Sequence, residues 1–133
     1  MDSRLNSAFW TLRIALGLTA FLAGLDKFFN LLTNWEQYVS PLAANIIAPA
    51  PLMHIAGVIE IVVGLAVLAG ITRIGGYVVM AWLTLIAINL VTTGHYFDVA
   101  VRDLVMACGA FTLARLSEAR QEEFAHQLSP RTA

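Results

Sequence analysis

Residues 52–70, LMHIAGVIEIVVGLAVLAG, decide the fold, because they form an apolar run that contains a single carboxylate, Glu60. A helix needs about 20 predominantly apolar residues to cross the hydrocarbon core of a bilayer, and this run has that length. Three further apolar runs accompany it, at residues 9–30, 75–91 and 97–116. The sequence therefore predicts an all-α fold, an up-down bundle of four transmembrane helices.

The composition agrees with a membrane protein. Only 13% of the 133 residues are charged and 59% are hydrophobic, and the mean hydropathy is +0.73. Soluble domains carry about 25% charged and about 45–50% apolar residues. The net charge of −1, without a cluster of Lys and Arg, argues against nucleic-acid binding. The single cysteine, Cys108, cannot form a disulfide or a CxxC redox pair within one chain.

The basic residues predict the orientation of the bundle. Arg4 precedes the first span, Arg73 lies between the second and third, and further arginines follow from Arg115 onward. The first and third loops contain no Lys or Arg. Because positive charge is enriched in cytoplasmic loops, we expect both termini in the cytoplasm. Residues 1–116 would then form the transmembrane domain and residues 117–133 a cytoplasmic tail, with a short helix at 117–127.

Polar side chains within the spans are the candidate functional residues. An ionised group near the bilayer centre costs roughly 2.5–3.5 kcal/mol, so it needs a partner, a cavity or the water boundary. At about 1.5 Å per residue, four of them lie about 7–12 Å below the outer boundary: Glu60, Asn89, Arg102 and Asp103. We expect Arg102 to be the counter-ion of Glu60. Asp26 and Lys27 are expected to form a hydrated pair at the boundary.

Small residues predict how the first two spans pack. Arg13, Gly17, Ala20, Gly24 and Lys27 recur at spacings of four and three and so share one helix face, as do Gly57, Glu60 and Gly64 on the second span. Small residues let helix backbones approach closely in a membrane. The two stripes are therefore expected to face each other, with Arg13 extending toward the cytoplasmic interface.

Two interpretations of Glu60 remain open. It is either a proton-exchanging carboxylate that also hydrogen-bonds a carbonyl-bearing, lipid-soluble ligand, or one half of a structural ion pair. Asn89, Arg102 and Lys27 are the candidate ligand-binding residues. The remaining set is interpreted as structural: Arg13, Gly17, Gly24, Gly64, Arg73 and Asp103. His54 and His95 lack metal-ligand spacing, so no metal site is predicted, and Trp82 is interpreted as a packing or lipid-facing aromatic.

Three motifs resemble those of the DoxX-like family of small four-helix integral membrane proteins. They are Arg13 with LGLTAFLAGLDKF at residues 16–28, the EIVVG run from Glu60 to Gly64, and the turn at 70–75 with Thr72 and Arg73. The resemblance spans residues 12–113, and the matching positions are Arg13, Gly24, Lys27, Glu60, Gly64 and Arg73. Asn89, Arg102 and Asp103 have no counterpart in the motifs, and the cysteine pair of the related methylamine-utilisation proteins is absent.

The resemblance implies a role in membrane redox systems. One branch of the family includes a subunit of thiosulfate:quinone oxidoreductase, and another assembles with cytoplasmic enzymes in oxidative-stress complexes. The chain would be a bacterial inner-membrane subunit, not catalytic alone, that acts as an anchor with a quinone-proximal pocket, quinone being its implied cofactor.

The alternative is a non-catalytic accessory subunit that packs against a larger membrane complex or forms a homo-oligomer. Small residues at Ala81, Ala87 and Gly109 would suit partner helices. A small transporter fits less well, because four short helices enclose little volume and no discontinuous helix is evident.

Overall fold

The computed structural model describes residues 2–128, and this part of the chain is helical without strands. The α-helices are α1 (Ser3–Asp26), α2 (Pro41–Ala44), α3 (Pro49–Ala69), α4 (Thr72–Thr92) and α5 (Phe97–Leu128), with a 3-10 helix at Trp35–Tyr38. The predicted all-α fold is confirmed. Among the described residues, α1, α3 and α4 are long and apolar enough to cross a membrane. Helix α5 does not meet that criterion, because charges such as Asp98, Arg102 and Asp103 interrupt it.

The ends of two helices differ from the sequence prediction. Helix α1 begins at Ser3, where the Asp2 carboxylate accepts a hydrogen bond from the Arg4 amide and caps the first turn. Helix α5 continues through residues 117–128 instead of giving way to a separate tail helix. No Gly or Pro occurs between Ala110 and Leu128, so nothing in the sequence breaks the helix.

The long helices form two close pairs, α1 with α3 and α4 with α5. A Cβ atom built on Gly24 would lie 2.7 Å from the Gly57 carbonyl oxygen, and one built on Gly64 would lie 2.6 Å from the Phe21 amide nitrogen. The glycine stripes of α1 and α3 therefore lie against each other, backbone to backbone. On the other pair, a Cβ atom built on Gly76 of α4 would lie 3.0 Å from the Ala110 carbonyl oxygen of α5, so these two backbones also approach closely.

Two apolar clusters form the core, and the larger one joins the two helix pairs. One cluster contains Phe9, Val67, Val79, Ala110 and Leu113, and so takes residues from all four long helices. The second, smaller cluster contains Ala87, Leu90 and Ala100, and the rings of Tyr38 and Tyr96 pack against it. Ala87 is thus buried between α4 and α5 and is not free to contact a partner helix, whereas Ala81 is exposed and Gly109 is half-buried.

Polar contacts close the end of the bundle where α3 ends and α4 begins. Arg13 of α1 donates hydrogen bonds to the carbonyl oxygens of Val67 (3.2 Å) and Leu68 (2.8 Å), which are among the final carbonyls of α3. The hydroxyls of Thr72 and Ser117 are buried and 2.7 Å apart, which ties α4 to α5. The extended part of α5 also packs on α1, because the Arg120 guanidinium lies 4.0 Å from the centre of the Phe9 ring.

The outer surface of the bundle is strongly apolar. Large hydrophobic side chains on every long helix remain exposed, including Ile14, Val62, Leu85 and Val105. A soluble monomer rarely exposes so much contiguous apolar surface. The surface is suited to contact with the lipid bilayer.

Candidate functional site

A buried ion pair links α1 to α3. The Lys27 ammonium lies 2.7 Å from Oε2 of Glu60, and both side chains are only 7% exposed. Lys27 follows the last residue of α1, and Glu60 lies near the middle of α3. The close approach of Gly24 to Gly57 brings the two backbones together, and Lys27 Cβ lies 3.2 Å from a Cβ built on Gly57. The helix pairing therefore positions the ion pair.

The prediction that Arg102 is the counter-ion of Glu60 is wrong. Arg102 is exposed on α5, and it forms no ion pair with any of residues 2–128. Its neighbour Asp103 faces the interior and is 8% exposed. Adjacent helical residues lie at nearly the same depth but point about 100° apart, so a match in depth cannot identify which of the two faces the bundle.

Trp82 of α4 is the second hydrogen-bond donor to Glu60. Its indole nitrogen donates a hydrogen bond of 2.9 Å to Oε1, so both carboxylate oxygens of Glu60 have a donor. Trp82 is therefore more than a packing aromatic. The sequence offered one signal for this contact, since a buried indole N–H usually finds a hydrogen-bond acceptor.

Asp26 and Lys27 do not form the expected hydrated pair. Asp26 is buried and accepts hydrogen bonds from the amides of Leu31 and Leu32, at 3.0 Å each, and from the indole of Trp35 at 2.8 Å. Lys27 lies 3.9 Å from the centre of the Trp35 ring, a cation–π contact, besides its pair with Glu60. The loop after α1 therefore folds over both residues and shields them from water.

Asp103 of α5 is buried within electrostatic range of Glu60 and Lys27. Within residues 2–128, however, its carboxylate has no hydrogen-bond donor and no counter-ion within salt-bridge distance. We define the charged cluster as Lys27, Glu60, Trp82 and Asp103, with one residue from each of four chain segments.

Asn89, a predicted ligand-binding residue, lies elsewhere. Its side-chain amide donates to the Tyr38 carbonyl at 2.7 Å, and its side-chain oxygen accepts from the Ser40 amide at 3.1 Å. Both polar atoms of the side chain therefore hold the loop between α1 and α3. The sequence predicted that Asn89 lies at about the depth of Glu60, but its side-chain amide bonds to the backbone of this loop instead.

The remaining candidates lie outside the charged cluster. Arg73 is exposed and lines an open groove of about 720 Å³ at the start of α4. His54 stacks on Phe28, with ring centres 5.1 Å apart, and His95 contacts Tyr96. Within the described residues, no three His, Cys, Asp or Glu side chains are grouped to hold a metal ion.

The charged cluster places hydrogen-bonding groups inside an apolar bundle. The Lys27 ammonium has three donors, of which one bonds to Glu60, and the ammonium also lies over the Trp35 ring. The carboxylates of Glu60 and Asp103 can accept hydrogen bonds or protons.

The residues that match a known family include most of this site. The family model DoxX matches residues 8–93, which is well over half of the chain and extends from α1 to the end of α4. The matched range contains Lys27, Glu60 and Trp82, whereas Asp103 lies beyond it. No curated protein and no solved structure matches the chain. Together with three helices suited to crossing a membrane, the match shows that the chain is a multi-pass membrane protein of the DoxX family.

Proposed function

We propose that the chain is an integral subunit of a quinone-linked redox system in a bacterial inner membrane. It anchors the system in the bilayer and supplies a quinone-proximal site at the charged cluster. In this proposal α5 is the fourth span, with Asp103 inside the bundle, and both termini are cytoplasmic. The redox centre that exchanges electrons with the quinone belongs to a partner subunit.

The buried Lys27–Glu60 pair is the observation that carries this proposal. Removing two charges from water costs energy that their attraction often fails to recover, so a buried ion pair is weak support for a purely structural role. The glycine contacts already hold α1 against α3 without it. A charged pair buried at this position therefore favours a function that needs its polarity.

The chemistry of a quinone matches the groups present. Its carbonyl oxygens are acceptors, for which Lys27 has free donors, and its reduced form carries hydroxyl donors, for which Glu60 is an acceptor. Reduction also requires protons at the two oxygens, so a nearby carboxylate can exchange them as a general acid and base. The Trp82 ring, whose indole nitrogen bonds to Glu60, would give a planar head group a flat apolar surface.

Binding of a short-chain ubiquinone to the purified chain in mild detergent tests the proposal. Tryptophan fluorescence quenching reports the binding. Loss of one charge-assisted hydrogen bond costs about 1.5–3 kcal/mol. We therefore expect Glu60→Gln and Lys27→Met to weaken binding by roughly 10-fold to 100-fold.

The matched control is Arg102→Gln, because Arg102 is exposed and does not contact the cluster. We expect this variant to bind like the wild type. Equal affinities for Glu60→Gln, Lys27→Met and the wild type would refute a quinone site at the cluster. The same variants, assayed in the intact assembly, would then be expected to retain quinone-linked turnover.

A non-catalytic accessory role is the second candidate, and Arg102 favours it. In the proposed orientation its charge lies on the outer surface of α5 beside Val101 and Val105, which are 60% and 65% exposed. A cation at that depth needs a partner, and residues 2–128 supply no ion pair for it. Purification in mild detergent should then retain a membrane partner that Arg102→Gln loses. Retention of the same partner by the variant would contradict this role.

A further inference from the structure

An open groove of about 720 Å³ follows the outer face of α4 from its first turn. It is lined by Arg73, Tyr77 and Ala81, which recur at a spacing of four and so share one side of the helix. Helix α5 contributes Gln121, one turn beyond Ser117. Between Arg73 and Ala81 the helix rises by about 12 Å. The groove therefore extends from the end of the bundle where α4 begins toward the middle of the bundle.

The two ends of the groove differ in polarity. Arg73 and Gln121 are exposed at the end where α4 begins, and neither side chain forms a hydrogen bond or an ion pair with any of residues 2–128. Ile74 and Val78 add apolar side chains that are 66% and 41% exposed. Beyond them, the small side chain of Ala81 leaves room. The groove thus combines an unpaired cation with an apolar surface, which suits an amphipathic molecule.

The acidic residue that contacts the groove wall is already paired. Glu118 accepts a hydrogen bond from the Tyr77 hydroxyl and lies 3.5 Å from the Arg115 guanidinium. The charge of Glu118 is therefore balanced by Arg115 and not by Arg73. The charge of Arg73 has no such balance within residues 2–128, so this end of the groove is complementary to an anion.

The groove also matches the layers of a bilayer. Helix α4 has 21 residues and a length of about 31 Å, close to the thickness of the hydrocarbon core, about 30 Å. Arg73 is its second residue and so lies near the level of the lipid head groups, whereas Ala81 lies about 12 Å deeper, among the acyl chains. In the proposed orientation this end faces the cytoplasm, the side on which basic pockets between helices bind anionic head groups.

We propose that the groove binds one anionic phospholipid, with its phosphate at Arg73 and an acyl chain along Ile74, Val78 and Ala81. The planar guanidinium presents two parallel N–H donors to phosphate oxygens. A lipid matches both ends of the groove at once, whereas an apolar partner helix would match Ala81 and leave Arg73 unpaired. The inference uses the proposed orientation to assign the leaflet, but it needs neither a quinone nor a redox partner.

Native mass spectrometry of the full chain in mild detergent tests the proposal, with dioleoyl phosphatidylglycerol and dioleoyl phosphatidylcholine as the two probes. A basic residue near the surface of an anionic membrane favours binding by about 5-fold, so we expect the first phosphatidylglycerol to bind about 5-fold more tightly than phosphatidylcholine. Arg73→Gln should abolish this preference. Arg4→Gln removes an exposed cation that does not line the groove and should keep the preference. Equal affinities of the wild type for the two lipids, or an unchanged preference in Arg73→Gln, would overturn the proposal.

A second substitution tests the apolar end of the groove. Ala81→Leu fills it and should weaken binding of phosphatidylglycerol by at least about 5-fold. Ala15→Leu enlarges an exposed alanine of α1 outside the groove and should leave the affinity unchanged. If Ala81→Leu loses a bound membrane protein and keeps its lipid affinity, a partner helix occupies the groove and the proposal is wrong.

Inorganic phosphate separates a lipid site from a simple anion site. An excess of it should not displace phosphatidylglycerol from the wild type, because the acyl chain contributes to binding. Displacement would show that Arg73 binds phosphate alone, against the proposal. The wild-type measurements stay valid if a variant fails to fold. Loss of the lipid preference with intact ubiquinone binding would reject this inference alone, and the reverse result would reject the quinone site alone.

Discussion

Replacement of Gly24 by alanine should destabilise the bundle through a single added methyl group. The new Cβ would lie 2.7 Å from the Gly57 carbonyl oxygen, 2.8 Å from Glu60 Cβ and 2.9 Å from the Ile61 amide nitrogen. Ordinary contact begins at 3.4 Å, so α1 and α3 must separate by several tenths of an ångström. Backbone atoms provide two of the three contacts and cannot rotate away. Overpacking of this kind costs about 1–3 kcal/mol.

Gly109→Ala is the matched control for this substitution. A Cβ at Gly109 would meet only the Leu12 side chain, at 3.8 Å, which is ordinary contact. Both substitutions replace a helical glycine and gain about 1 kcal/mol of helix propensity, so their difference isolates the steric cost. The free energy of unfolding, measured in mixed micelles with increasing SDS, should be about 1–3 kcal/mol lower for Gly24→Ala than for Gly109→Ala. Values equal within about 0.5 kcal/mol would refute the close packing of α1 on α3.

Three further substitutions test contacts outside the charged cluster. Arg13→Met should lower the free energy of unfolding by about 1.5–3 kcal/mol, because two carbonyls at the end of α3 lose a charged donor. Arg4→Met is the control, since Arg4 bonds to Asp2 through its backbone amide. Equal stabilities of the two variants would contradict the Arg13 contact. Asn89→Ala should release the loop at Tyr38 and Ser40. Amide hydrogen exchange should become faster in residues 31–48, while α4 keeps its protection. Unchanged exchange in residues 31–48 would show that other contacts hold the loop. Thr72→Val should lower the free energy of unfolding by about 1–3 kcal/mol, because it leaves the buried Ser117 hydroxyl without a partner. The double variant with Ser117→Ala should recover part of that loss. Strictly additive losses would indicate that the two hydroxyls do not bond to each other.

The helical architecture and the α1–α3 pairing could be predicted from the sequence. Apolar runs of membrane-spanning length indicated the helices, and the spacing of Gly17, Gly24, Gly57 and Gly64 indicated which faces meet. Both features depend on local periodicity, which a sequence displays directly. The far end of α5 was missed because its charges suggested a new segment, although no residue there breaks a helix.

The partners within the site could not be predicted in the same way. Depth along a helix is known to about 1.5 Å per residue, but the direction in which a side chain points depends on how each helix is rotated. That rotation turned Asp103 inward and Arg102 outward. The burial of Lys27 depends on the irregular loop after α1, which covers it with Trp35. Such a loop has no repeating sequence pattern from which its path could be predicted.

The unbroken course of α5 has a mechanical consequence. Its 32 residues correspond to a rod of about 48 Å, whereas the hydrocarbon core is about 30 Å thick. In the proposed orientation, about 18 Å of the rod extends beyond the membrane on the cytoplasmic side. The rod does not stand alone as it leaves the membrane, because Arg120 packs on Phe9 of α1 and Ser117 is joined to Thr72 of α4. Helix α5 thus extends the bundle as a braced strut.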